Sequence, residues 1–249
     1  MGLALGPVLA RAAGSPLVAR VEGGLVRGQT ELGVIAFKGI PDAAPPVGAA
    51  AAGEAVERSP SGARLRPALH AGALPGRWGA GADGAEEDCL YLNVWRPRGA
   101  SAHHLPVMVW IYGGGFVNGG TSPAVYNGTQ FARDGVVLVS FNYRLGNFGF
   151  FAFPALTRQV RGQLLGDYAF MDQLAALRWV QRNIRAFGGD SHNVTVFGES
   201  AGGMSVNNLL ISPLAKGLFQ RAIIESGGGR PLFPAPPSPD HRPAPRRWV

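Results

Sequence analysis

Gly198-Glu199-Ser200-Ala201-Gly202 is a glycine–x–serine–x–glycine run, the spacing in which a serine hydroxyl can stand on a sharp strand-to-helix turn and act as a nucleophile. In a chain with 37 glycines the five residues alone carry little weight, because such a run arises by chance. Their context carries more. The apolar stretch 194–197 leads straight into the run, and the helix-compatible Ala201-Gly202-Gly203 leads out of it. A serine on so tight a turn occupies a strained backbone region, and flanking glycines let neighbouring backbone come close. The turn lifts Oγ clear of the strand, and the following helix points its first amides at any negative charge that develops there. The competing reading is a plain serine cap on a helix, and it explains neither the strand before the serine nor the glycines on both sides.

A second run, Tyr112-Gly113-Gly114-Gly115-Phe116, follows another apolar stretch at 105–112. Acyl transfer needs N–H donors set in advance where a carbonyl oxygen becomes an oxyanion, and glycines let the backbone turn its amides inward without obstruction. Gly114, Gly115 and Ala201 would supply three such donors. Alone, the run reads as a connecting loop; with a nucleophile turn downstream it reads as an oxyanion loop.

These two runs need a scaffold, and the chain offers one. Residues 17–21 and 25–28 alternate around Gly23-Gly24, a hairpin signal, and Val34 to Lys38 reads as a third strand stopped by Gly39 and Pro41. From 88 to 227, strands alternate with helices. Strands are expected at 105–112, 136–142, 194–197 and 221–225. A helix is expected over about 167–187, where Met171, Leu174, Leu177, Val180 and Ile184 recur at helical spacing, with Asp167 as N-cap and Gly188-Gly189 as the stop. A second helix is expected from Ala201 to Leu210. This alternation predicts an α/β fold with a mostly parallel sheet, helices on both faces and a small antiparallel sheet at the N-terminus. Residues 48–86 show neither period, contain no Ile, Phe, Tyr or Met, and read as an irregular loop. From 228 to the end, seven prolines forbid a helix or a central strand, so a disordered tail is expected.

Composition narrows the function. The formal net charge is +7, but Arg230, Arg242, Arg246 and Arg247 of the tail face only Asp240, and no basic stripe with interleaved aromatics occurs elsewhere, so a nucleic-acid partner is not expected. No metal cluster and no dinucleotide-type glycine fingerprint with its acidic partner is found, so no cofactor is expected. No apolar run is long enough to span a bilayer. Residues 1–12 resemble a signal peptide only weakly and incompletely, lacking a basic start, and an ordinary N-terminus of a soluble chain serves as well. Cys89 is the single cysteine, which excludes an internal disulfide.

Beyond these readings the chain resembles the type-B carboxylesterases, the α/β-hydrolase lineage that includes the cholinesterases. The resemblance is carried by Phe37-Lys38-Gly39-Ile40-Pro41, by residues 87–95 around Asp88-Cys89, by residues 109–116, by Asn142-Tyr143-Arg144, and by residues 172–189, 193–203 and 221–227. It covers about 17–42 and 87–229, which sets the expected domain at 1–229 and the tail at 230–249. The resemblance implies hydrolysis of a small-molecule ester through an acyl-enzyme. It implies Ser200 as nucleophile, Gly114, Gly115 and Ala201 as oxyanion donors, Glu199 buried beside the site, and Arg144 with Asp172 as a structural ion pair.

The departures bear on activity. In α/β-hydrolases the acid and the histidine follow the serine in sequence, and the resemblance puts both beyond the end of this chain, so the C-terminal half of the fold is expected to be missing. After Ser200 the only histidine is His241, in the proline tail; His192, His103 and His104 precede their strands and belong at the edge opposite Ser200, and His70 lies in the patternless stretch. Asp42 stands where the resemblance implies an aromatic residue, and no upstream cysteine is available to pair with Cys89. Trp78 lies near where cholinesterases hold a cation-binding tryptophan, without matching neighbours. Out-of-frame reading through 48–86 and after 230 would explain the loss of pattern, and resequencing that shows an intact frame would refute it. Three functions remain open: a carboxylic ester hydrolase that is weak or inactive as it stands, a non-catalytic esterase-like binding module, and a truncated product without function.

Overall fold

A computed structural model describes residues 17–41, 89–99, 103–151 and 166–228. The expectations for the signal-like N-terminus, the stretch 48–86, Trp78, His70, Asp42, His241 and the proline tail fall outside these residues. Strands β1 (Val18–Val21) and β2 (Gly24–Arg27) pair antiparallel as a separate two-stranded sheet, with Val21 opposite Gly24. The turn is therefore Glu22-Gly23, one residue earlier than the glycine pair suggested. Ala19, Val21 and Val26 are buried, which shows which side of the ribbon meets the core.

The main sheet has seven strands, β3 (Gln29–Glu31), β4 (Val34–Pro41), β5 (Tyr91–Arg96), β6 (Leu105–Ile111), β7 (Val137–Phe141), β8 (Gly189–Glu199) and β9 (Arg221–Glu225), in the order β3-β4-β5-β7-β6-β8-β9. Pairing is antiparallel from β3 to β7 and parallel from β7 through β6 and β8 to β9. The expected α/β-hydrolase plan is thus present, with its parallel part carrying both glycine-rich runs.

Two boundaries differ from expectation, and one expected cap works through a different atom. Strand β4 continues through Gly39 to Pro41 and belongs to the main sheet; Gly39 has φ +70° at a register irregularity between Phe37 and Ile40, and its N–H donates to Asn93 Oδ1 at 3.0 Å. A glycine that reads as a stop is here a bulge, and the side-chain acceptor across the ladder satisfies its amide. Gly189 opens β8, so that strand runs eleven residues rather than the four that are fully apolar. Asp167 caps its helix with its carbonyl, which accepts from the Phe170 and Met171 N–H groups, and not with its side chain.

Helices cover both faces. On one side α3 (Tyr168–Asn183) and α4 (Ala201–Ile211) bury Leu177, Val180, Val206 and Leu209 against Val107, Val109, Ile111, Val194 and Val196 of the sheet. On the other, the short α1 (Thr129–Arg133) brings Phe131 and Ala132 to Trp95, Met108, Trp110, Leu138 and Phe197. Alternation along β6 and β8 sends successive residues to the two cores, so each core fixes the strands for the other. Another short helix, α2 (Gly146–Gly149), lies between β7 and α3. Helix α3 passes through a 3-10 turn at Ile184–Phe187 and stops at Gly188, whose φ of +83° is the left-handed conformation a helix end favours.

Candidate active site

Strand β8 ends at Glu199 and α4 begins at Ala201, so Ser200 alone makes the turn. Its backbone sits at φ 54° and ψ −119°, a region that side-chain-bearing residues avoid at a cost of about 1–3 kcal/mol. The conformation persists because it is held from several sides. The Ser200 N–H donates to the Glu225 carbonyl of β9 at 2.8 Å, and the Ser200 carbonyl accepts from Met204 N–H at 2.9 Å. The glycines around it are required by contact rather than by φ. A methyl at Gly198 would lie 2.6 Å from the Gly202 carbonyl carbon, and one at Gly202 would collide with the Ile111 carbonyl oxygen. The expected elbow is present, with neither glycine replaceable without backbone movement.

The glycine run after β6 faces the elbow. Gly114 and Gly115 have φ +113° and +63°, so the loop turns in a way closed to most residues. A methyl at Gly113 would lie 2.7 Å from the Glu199 carbonyl oxygen and 3.1 Å from Ser200 Cβ, which brings the loop into direct contact with the elbow. The loop closes on itself through the Gly114 carbonyl, which accepts from Val117 and Asn118 N–H groups at 3.2 Å. Those bonds use the Gly114 acceptor and not the Gly114 or Gly115 donors. Ala201 is the first residue of α4, where an N–H has no partner within its own helix.

Between these segments lies a cavity of about 450 Å³, lined by Gly113, Gly114, Glu199 and Ser200 and walled by Asn118, Pro123, Val125 and Tyr126. Gly115 is not part of that lining. Glu199 is exposed and lines the cavity, where the resemblance implied burial. The Tyr126 hydroxyl is shifted above the usual phenol range by its half-burial and by the Glu199 carboxylate, so it stands in the cavity wall as a neutral donor. Tyr126, Asn118 and Val125 gave no signal in the sequence, since Asn118 lies on a loop and Val125 and Tyr126 on a single 3-10 turn, Ala124–Tyr126, too short to show a period.

Behind the site, Tyr112 and Tyr143 stack with ring centroids 4.4 Å apart and exchange bonds. Tyr143 O–H donates to the Tyr112 carbonyl at 2.8 Å, and Tyr112 O–H donates to the Tyr143 carbonyl at 3.1 Å. Next to them the expected pairing of Arg144 with Asp172 is made. The guanidinium donates from Nε at 2.8 Å and from Nη2 at 2.7 Å, and the Arg144 N–H adds a third bond at 3.0 Å. Burial works against the Arg144 charge, yet the Asp172 carboxylate outweighs it and holds the guanidinium above its ordinary value.

Among the described residues no histidine approaches Ser200. His192 lies on β8 eight positions before the serine, about 26 Å along an extended strand, and its ring contacts Arg185 at 3.2 Å. His103 and His104 precede β6 at the same far end, since Leu105 pairs with Gly189. No group of three or more His, Cys, Asp or Glu able to hold a metal occurs among the described residues, and no helix among them is long and apolar enough to cross a membrane.

The carboxylesterase family matches residues 15–233 in one span. The chain is 46% identical over 232 residues to a fumonisin B1 esterase of Sphingopyxis macrogoltabida, covering 91% of this chain and 43% of that protein. It is 44% identical over 227 residues to a para-nitrobenzyl esterase of Bacillus subtilis, again covering 43% of the relative. A solved PNB esterase structure superposes with a TM-score of 0.73 at 44% identity over 86% of this chain and 44% of that one. The chain therefore spans less than half the length of the relatives it matches.

Proposed function

This chain belongs to the carboxylesterase family, and we propose that its cavity is the acyl-transfer centre of a serine ester hydrolase. Ser200 Oγ attacks the carbonyl carbon of a small ester and its proton passes to a base. The carbonyl oxygen becomes an oxyanion received by the Gly114, Gly115 and Ala201 N–H groups. Collapse of the tetrahedral adduct expels the alcohol, which takes up the proton, and water then releases the acid from the serine by the same steps. Arg144 and Asp172 tie the segment after β7 to α3 behind the glycine loop, so their part is to hold the scaffold rather than to touch substrate.

The observation that supports this reading best is the strained Ser200 backbone packed against Gly113, with Ser200, Gly113 and Gly114 lining one cavity. Strain at one non-glycine residue between two sterically required glycines has no use in a simple helix cap. A base is the part the described residues do not supply, and without one an enzyme of this kind keeps only the catalysis that binding and the oxyanion site provide, about 10³–10⁴-fold over water.

The test is labelling with a fluorophosphonate and hydrolysis of a para-nitrophenyl ester, each against Ser200→Ala. Slow labelling that maps to Ser200 and weak turnover lost in Ser200→Ala are expected for the 249-residue chain. Label that spreads over other residues, or turnover indifferent to Ser200→Ala, would overturn the assignment.

A further inference from the structure

The glycine run after β6 ends at Phe116, but its left-handed backbone does not. Gly114 and Gly115 have φ +113° and +63°, and Phe116 continues the turn at φ +63°. Glycine takes such a conformation without cost, whereas a phenylalanine stays there only when its surroundings hold it. A fourth glycine would make the same turn freely, so the ring contributes something that the turn alone does not need.

That ring meets two others. Its centroid lies 5.2 Å from that of Phe150 and 5.9 Å from that of Phe170, at interplanar angles of 69° and 65°. Phe150 and Phe170 are 5.6 Å apart at 78°. All three contacts are edge-to-face, an arrangement that the ring quadrupole favours. Phe150 follows α2, and Phe170 lies in the first turn of α3. The backbone is held as well. The Phe116 carbonyl accepts from the Gly146 N–H at 2.7 Å, and Gly146 is the first residue of α2, where that N–H has no partner within its own helix. Ring and carbonyl together fix the Phe116 Cα and N in place. The left-handed well open to a residue with a side chain is narrow, so φ has little room to vary and the peptide joining Gly115 to Phe116 keeps its direction.

At the other end of the triplet, Tyr112 is tied to Tyr143 by stacked rings and two O–H bonds. Tyr143 and Gly146 flank Arg144, which binds Asp172 of α3. The three glycines thus span two posts that stand on one segment. Glycine has the most backbone freedom of any residue, and an oxyanion site works only if its donors are set before the charge arrives. The posts supply the rigidity that the glycines lack.

We propose that Phe116 is a positioning residue of the oxyanion site. Its ring, packed on Phe150 and Phe170, and its carbonyl, bonded to Gly146, hold the Gly114 and Gly115 N–H groups in the direction that receives the oxyanion. Phe116 is not among the residues that line the cavity, and it acts through the glycines. This role rests on the reading of Ser200 as the nucleophile, and the experiment separates the two.

Fluorophosphonate labelling of the 249-residue chain, followed over a range of probe concentrations, gives a reversible binding constant and a rate constant for phosphonylation. Without a base, the oxyanion site supplies much of the catalysis that remains, so the rate constant reports on it. Phe116→Ala is expected to lower that rate constant by about tenfold or more, short of the roughly 10²–10³-fold loss on deleting a donor, with the binding constant nearly unchanged. Phe116→Tyr keeps the ring and is expected to label at close to the wild-type rate. Phe116→Gly loses the ring but relieves the left-handed φ. It is therefore expected to resist urea better than Phe116→Ala and yet to label as slowly. Phe170→Leu loosens the ring from α3 and is expected to slow phosphonylation in the same direction; it carries the test where circular dichroism shows Phe116→Ala unfolded. Equal rates in the wild type and Phe116→Ala, or rates that simply follow the urea midpoints of the three Phe116 variants, would overturn the inference and leave the esterase reading standing. Label absent from Ser200 in the wild type would overturn that reading and the inference with it.

Discussion

The Glu225 carbonyl accepts a hydrogen bond from the Ser200 N–H at 2.8 Å, so the conformation of the candidate nucleophile is set partly by the strand beside its own. Two further contacts seal that junction. A methyl at Gly203 would lie 2.8 Å from the same Glu225 oxygen and from Gly227 Cα. The elbow, the start of α4 and the end of β9 are packed backbone to backbone, and no flexible side chain is available to yield.

Gly203→Ala therefore forces the backbone to move. A loss of about 1–3 kcal/mol is expected, the usual cost of overpacking, together with slower fluorophosphonate labelling of Ser200. Urea denaturation and labelling rate measure the two effects. Stability lost without any change in labelling would show that the end of β9 does not govern Ser200.

The elbow was legible because its chemistry is local: strand, glycine, serine and glycine are contiguous, and only glycine tolerates the contacts at 198 and 202. The helix of Leu174, Leu177 and Val180 was legible because one face is buried at a regular period. What the sequence hid was set by tertiary contacts. Gly39 looks like a stop until Asn93, 54 residues away, is seen to accept its amide. The polar residues at 190–193 break the apolar pattern of β8, although the backbone pairs as strand from Gly189. Tyr126 and Asn118 enter the cavity wall from a 3-10 turn and a loop, both too short for periodicity to mark them. Glu199 is exposed where the resemblance implied burial, since burial depends on what packs over the cavity mouth and not on the residue's place in the motif.

Asp172 is almost fully buried and accepts three hydrogen bonds from Arg144. Asp172→Ala is expected to cost about 3–5 kcal/mol, because it leaves a half-buried guanidinium without its partner. Replacing both residues together, Asp172→Leu with Arg144→Met, is expected to cost less than the single change. Denaturant midpoints of the two variants check the order, and a larger loss in the double variant would mean that the pair itself, and not the stranded charge, carries the stability.

The tyrosines behind the glycine loop predict a loss of stability in alkali. Burial pushes the Tyr112 and Tyr143 hydroxyls far above the usual phenol range, and half-burial with Glu199 nearby raises Tyr126. A group whose folded pKa is raised contributes stability that is complete below its unfolded value, about 10 for tyrosine, and that is lost as pH rises further. Thermal midpoints are expected to hold to about pH 9 and fall beyond it, as the unfolded chain releases protons that the fold retains. Tyr143→Phe removes one titrating group and should flatten the fall, at a cost near neutral pH of about 1 kcal/mol for the lost bond to the Tyr112 carbonyl. An unchanged alkaline slope in that variant would assign the effect to other groups.

The last prediction concerns what anchors the far end of the glycine loop. Thr121 donates to Asn142 Oδ1 through both its N–H and its hydroxyl at 3.0 Å, and Asn93 Nδ2 donates to the Thr121 hydroxyl at 3.1 Å and to Ser140 at 3.3 Å. Asn93 Oδ1 meanwhile holds the Gly39 amide. One buried asparagine thus joins the β4 bulge, β7 and the end of the loop that lines the cavity. An aspartate there could still accept from Gly39 but could donate to neither hydroxyl, so Asn93→Asp buries a charge beside groups that must now turn to face it. A loss of about 2–4 kcal/mol is expected, larger than that for Thr121→Ser, which keeps the hydroxyl bonds. Labelling of Ser200 should slow in Asn93→Asp at a temperature where circular dichroism shows the chain folded, because the loop loses its anchor before the fold is lost. Equal labelling in both variants would confine the network to a structural part.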